Sequence, residues 1–135
     1  ADLDLRLVLG GERTITVPAT LSYAVDEPYA VPALFRTADG DVAWVFGRDL
    51  LEDGMTAPVG EGDVAVWPST TRGTRVICLS LASPSGSALL EADLAAVQAF
   101  LDDSYRLVPL GSESGLLDLD AELAALLGDE PSPSH

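Results

Sequence analysis

The sequence predicts an α+β domain: about seven antiparallel strands in a barrel-like sheet arrangement, one short helix between the fourth and fifth, and two helices at the C-terminal end. Three observations carry this reading. Apolar and polar residues alternate in one segment after another over most of the chain. Glycine, proline and an Asp-Gly pair separate those segments at hairpin spacing. Beyond Ala92 the apolar period lengthens to that of a helix.

Leu3, Leu5, Leu7 and Leu9 share one face of the first strand, and Gly10-Gly11 turns the chain. A second alternation covers residues 14–23 and pairs antiparallel with the first. Pro18 lies inside it and cannot donate to a ladder, which predicts an edge strand or a bulge at that point. The third strand spans 29–37, with Val31, Ala33 and Phe35 in alternation. Asp39-Gly40 supplies the positive φ angles of a tight turn, so the fourth strand, 42–46, pairs directly with the third. Residues 48–53 read as a helix of one or two turns, stopped by Gly54 in the left-handed conformation.

A loop through Pro58, Gly60 and Gly62 leads to the fifth strand, 63–68. Arg72-Gly73 marks a turn, and the almost uniformly apolar run 75–82 is expected in the middle of the sheet. Ser83-Pro84-Ser85-Gly86 makes the next hairpin, leading to a seventh strand at 88–91. Leu94, Val97, Leu101 and Tyr105 then recur at helical spacing, with Pro109 beyond the helix. After a Gly111 to Gly115 linker, Asp118 caps a second helix whose stripe is Leu119, Leu123, Leu126 and Leu127. That stripe is expected to fold back on its own subunit, with docking on a neighbouring copy as the alternative. Residues 1–127 read as one domain, and 128–135, rich in proline and serine, as a disordered tail.

Composition excludes several chemistries. The chain has 135 residues and a formal charge of −15, from 22 acidic residues against 7 basic ones. All the basic residues are arginine, the single histidine is His135 at the end, and the single cysteine is Cys78. A phosphate-binding loop and a Schiff-base site lack their lysine, and a serine or cysteine triad lacks its imidazole. No nitrogen and sulfur set exists for zinc, so no metal, cofactor or catalytic residue is expected. A surface this acidic repels phosphate backbones, which makes nucleic acid an unlikely partner. No apolar run spans a bilayer and no signal peptide is visible at the start, which reads as a cytoplasmic protein.

The remaining candidates are interaction or structural residues. Trp44 and Trp67 stand in the most distinctive strings, Trp44 to Leu51 and Val66-Trp67-Pro68. Tryptophan on a strand is more often core than contact, although tryptophan and arginine are enriched at partner hot spots. Arg48 and Asp49 form either an internal ion pair or a partner contact. Cys78, between Ile77 and Leu79, reads as a small core hydrophobe. The adjacent carboxylates Glu52-Asp53 and Asp102-Asp103 read as solvated helix faces.

Five strings in register then resemble one family. They are Glu27-Pro28-Tyr29-Ala30-Val31, Trp44 to Leu51 with Gly54, Gly62-Asp63-Val64 with Val66-Trp67-Pro68-Ser69, Ser83 to Gly86 with Ala88 to Ala92, and Asp118-Leu119-Asp120 with Glu122-Leu123. In order and spacing they resemble the SsgA-like sporulation and cell-division proteins of actinomycetes, and the SsgB type within them. Gly47, where the family often has alanine, and the missing lysine are departures. The resemblance implies a Whirly-like fold, a homotrimer, and concentration at the division septum. It also implies a non-enzymatic regulator that localises to future division sites together with an SsgA-type paralogue and recruits the tubulin-like protein FtsZ, promoting its assembly. A Whirly-like single-stranded nucleic-acid-binding module is the alternative. Tyr29, Trp44, Arg48, Asp49, Trp67, Leu119 and Leu123 are carried forward as candidate interaction or structural positions.

Overall fold

The computed structural model describes residues 1–11 and 13–109. The elements in chain order are β1 (Asp2–Gly10), β2 (Arg13–Leu21), β3 (Ala30–Thr37), β4 (Gly40–Gly47), α1 (Arg48–Gly54), β5 (Val59–Glu61), β6 (Val64–Thr71), β7 (Thr74–Ser83), β8 (Gly86–Asp93) and α2 (Leu94–Leu107). The strands form a single antiparallel sheet in the order β4-β3-β2-β1-β8-β7-β6-β5, curled into a half-barrel.

There are thus eight strands among the described residues rather than seven. The added one, β5, pairs Val59 with Val66 and Glu61 with Val64 across a turn at Gly62, whose φ is +59°. It is three residues long and flanked by Pro58, too short for any alternation to register. The second predicted C-terminal helix, with Leu119 and Leu123, and the tail 128–135 lie outside the described residues.

Local chemistry explains the hairpins. Arg72 and Gly73, with φ of 51° and 79°, form a two-residue turn between the paired Thr71 and Thr74. The turn after β3 differs from expectation: its central residues are Ala38 and Asp39, and Gly40, at φ 121°, already pairs with Thr37. Pro18 faces Asp4 of β1, and β3 begins to pair with β2 only at Ala19. Pro18 therefore sits where β2 is uncovered on that side, a local edge within an interior strand.

Gly54 is not left-handed; α1 runs through it and Met55 is also in the right-handed helical region. Glycine is needed there for space, since a Cβ would come within 2.2 Å of Val66 Cγ1. The close approach seats α1 on β6.

The core lies on the concave face. Leu5, Val17, Val31, Phe35, Leu79 and Leu90 point into it from the sheet, and Leu51 of α1 with Val97, Phe100 and Leu101 of α2 cover one end. Each such side chain, fully removed from water, contributes about 1.5–3 kcal/mol. The run 75–82 is interior, as its uniform apolarity requires: β7 lies between β6 and β8. β8 pairs with both β7 and β1, joining the N-terminal hairpin to the later strands.

Candidate functional site

The sheet's end nearest the helices gathers three of the singled-out positions. Ala30 pairs with Gly47 at the end of the β3–β4 ladder, and the backbone N–H of Arg48 donates to the carbonyl of Tyr29 at 2.9 Å. The Tyr29 ring is exposed, as is Asp49, which places a carboxylate in the first turn of α1. Arg48 turns inward and is only 1% exposed.

The guanidinium of Arg48 lies between two rings, 5.0 Å from the centroid of Tyr23 and 4.6 Å from that of Tyr105. Its Nη1 donates to the carbonyl of Val108 at 2.7 Å and to that of Ser104 at 3.2 Å. These carbonyls close α2, where intrahelical donors run out and a cation is favoured. Tyr105 in turn donates from its hydroxyl to Glu52 Oε2 at 3.0 Å. Burial and that hydrogen bond to a carboxylate push the Tyr105 hydroxyl well above the usual tyrosine range. Arg48 therefore locks α1 to the end of α2, and its neighbour Asp49 faces solvent.

The two tryptophans lie on opposite faces. Trp44 shares the concave face with Phe46, stacked at 6.4 Å between centroids and 9° between planes. It is half-buried and packs against the core. Trp67 points from the outer face, where it pairs with Cys78, which pairs with Glu91, which pairs with Arg6. Cys78 is thus buried on the outer side of the sheet rather than in the main core. Burial, and then the carboxylate of Glu91, raise its thiol pKa and favour the unreactive form.

Glu91 is a residue that sequence reasoning passed over. It is 7% exposed, accepts from Arg6 Nε at 3.1 Å through Oε1, and from Thr71 Oγ1 at 3.3 Å through Oε2. Arg6 also reaches Asp93 at 3.0 Å. This ion-pair cluster lines a polar cleft of about 650 Å³ with Thr14, Thr70 and Arg72. The carboxylates there are engaged by a cation and a hydroxyl, an arrangement that clamps β1 to β8. The only sequence signal was an acid in an otherwise apolar strand.

Among the described residues, no cluster of three or more His, Cys, Asp or Glu side chains could hold a metal ion. No helix among them is long and apolar enough to cross a membrane.

Comparison with known proteins gives a consistent result. The model of the family described as "Streptomyces sporulation and cell division protein, SsgA" matches residues 17–113. The sporulation-specific cell division protein SsgB of Frankia casuarinae is 52% identical over 132 residues, covering 97% of this chain and 92% of its own. SsgB of Streptomyces coelicolor is 48% identical over 129 residues, covering 95% and 94%. The crystal structure of an SsgA-like sporulation-specific cell division protein from Thermobifida fusca superposes with a TM-score of 0.82 at 40% identity, covering 93% of this chain and 92% of that one.

Proposed function

The chain belongs to the SsgA-like family of sporulation and cell-division proteins, SsgB type, and from that premise we propose that it is a non-enzymatic regulator that marks septum sites and recruits FtsZ, promoting its assembly. One observation carries the reading: SsgB relatives match end to end, at 52% and 48% identity over more than nine-tenths of both partners. Their names are those of division proteins rather than enzymes. The described site agrees in kind. Its buried charged groups, Arg48 and Glu91, are spent on joining elements, while Tyr29 and Asp49 stand exposed beside Arg48.

In this reading the protein acts as a homotrimer, and repetition of a weak contact three times over gives firm but reversible attachment to a polymer. Tyr29 and Asp49 are the candidate contact for FtsZ or for an SsgA-type paralogue, and a basic face on the partner suits the charge of −15. The same charge argues against a Whirly-like role on single-stranded nucleic acid. A fluorescent fusion in sporulating hyphae tests septum marking. It should gather at future division sites before FtsZ does, and a diffuse distribution throughout sporulation would overturn the reading.

A further inference from the structure

The two edges of the sheet are built differently. β5, at one edge, is three residues long, follows Pro58 and ends on a carboxylate, Glu61. Short length, proline and charge are the means by which an edge strand avoids pairing with another chain. β4, at the other edge, has eight residues, no proline and no basic side chain. Its ladder with β3 runs without a bulge from the Ala30–Gly47 pair to the Thr37–Gly40 pair, and among the described residues no strand pairs with its outer side. From Val42 to Phe46 it is apolar on both faces, a composition suited to a strand covered on both. Val42, Ala43 and Val45 are nevertheless exposed, Val45 to 65%.

The backbone of this edge has a defined register. Ser22 donates its N–H to the carbonyl of Pro32 at 3.0 Å, so Pro32 turns its backbone groups toward the β2 side and away from β4. Val45 is paired with Pro32 and therefore directs its own N–H and carbonyl outward, as do Asp41 and Ala43 at the same alternation. Each of these residues offers one donor and one acceptor along the open edge.

We propose that this edge takes a ninth strand from a partner protein: an extended segment, apolar in its middle and basic at its ends. Main-chain hydrogen bonds to Asp41, Ala43 and Val45 hold the segment, and its alternate side chains set its specificity. Beside β4 the concave face opens into a groove of about 340 Å³, with Val42, Trp44, Phe35, Leu81 and Leu90 in its walls and no charged residue. Side chains on one face of the added strand enter that groove, and those on the other cover Val45. Charge selects the ends. Asp39 and Asp41 stand at one end of β4 and Asp49 just beyond the other, all exposed. Arg36, across from Asp41 on β3, offsets one of them, and Arg48 is buried. Basic residues at both ends of the segment meet the remaining carboxylates. A second copy suits the edge poorly. Laid antiparallel about Trp44, its β4 brings Asp39 beside Asp49 at both ends, between chains of charge −15. The added strand lies beside Tyr29 and Asp49, whichever protein supplies it.

The test selects random displayed peptides on the full chain and measures the recovered peptides by fluorescence anisotropy. Enriched sequences should alternate apolar residues between lysines or arginines. Val45→Pro removes an outward N–H and leaves the β3–β4 ladder intact, so it should weaken their binding at least about tenfold with little change in melting temperature. Val45→Lys, at a side chain already exposed, should act in the same direction by setting a cation on the pairing edge. Asp41→Asn with Asp49→Asn should weaken binding and flatten its salt dependence. The absence of enriched sequences, enrichment of sequences without basic ends, or equal binding to the parent and both Val45 variants would overturn the proposal. A change of oligomer mass in Val45→Pro on sedimentation would also overturn it, by assigning the edge to a contact between copies.

Discussion

Arg48 and Val108, sixty residues apart in sequence, are joined by a 2.7 Å hydrogen bond from the guanidinium to the last described helix-end carbonyl. The bond links the first residue of α1 to the turn that ends α2, and the rings of Tyr23 and Tyr105 hold the cation between them. Two elements that cover the core from different parts of the chain thereby share one anchor. It also fixes the point from which the remaining C-terminal residues set out.

Replacing Arg48→Met should therefore cost about 2–4 kcal/mol, since the buried carbonyl of Val108 loses its donor and two rings lose their cation. Arg48→Lys should recover only part of this, because an ammonium lacks the planar fork that stacks and donates together. Urea unfolding of the variants checks both, and a cost of Arg48→Met within measurement error would remove the anchor from the account.

Gly54→Ala should destabilise by about 1–3 kcal/mol through overpacking, since the new Cβ would fall within 2.2 Å of Val66 Cγ1. A backbone-conformation cost is not involved; Val66→Ala removes the Cγ1 contact but leaves Val66 Cβ at 2.8 Å, so the double variant Gly54→Ala with Val66→Ala should lose less than the sum of the two single losses. Thermal unfolding of the two single variants and the double one measures that coupling.

The Tyr105 hydroxyl has its folded-state pKa raised above the ordinary value of 10.0, by burial first and by the Glu52 hydrogen bond second. Its stabilising contribution is then fully present below about pH 10 and lost as pH rises through the folded-state value. Tyr105→Phe should unfold with a flatter alkaline dependence than the parent, whatever its stability at neutral pH. Melting temperatures followed upward from neutral pH check the slope, and identical slopes would contradict the assignment.

Cys78 should resist a thiol reagent at about pH 8 in the native protein and react fully once unfolded, because burial and Glu91 both disfavour its thiolate. Replacing Glu91→Gln removes the charge next to the sulfur but also the partner of Arg6, so it should speed the reaction and weaken the β1–β8 junction together. Labelling kinetics and unfolding midpoints separate these two effects.

Much of the fold was legible because period two survives wherever one face is buried. Val31, Ala33 and Phe35 point inward as their spacing predicts, and Leu94, Val97, Leu101 and Tyr105 form one helix face against the core. What escaped depends on contacts between distant segments. β5 has three residues and exists only through its ladder with β6. Gly54 looked like a helix stop because glycine often is one, whereas its reason is Val66, twelve residues on. Arg48 and Asp49 were adjacent candidates with the same alternatives open, and only the positions of Tyr23, Tyr105 and Val108 send one inward and leave the other outside. Glu91 owes its burial to Arg6, 85 residues away, through a register no local pattern displays.

The action proposed for this chain is to bind FtsZ polymers and favour their assembly. Sedimentation of purified FtsZ with GTP, over increasing concentrations of the chain, tests it most directly. The account predicts that the chain enters the pellet only when FtsZ polymerises and that the polymer mass rises with it. A chain that stays in the supernatant and leaves the amount of polymer unchanged would contradict it.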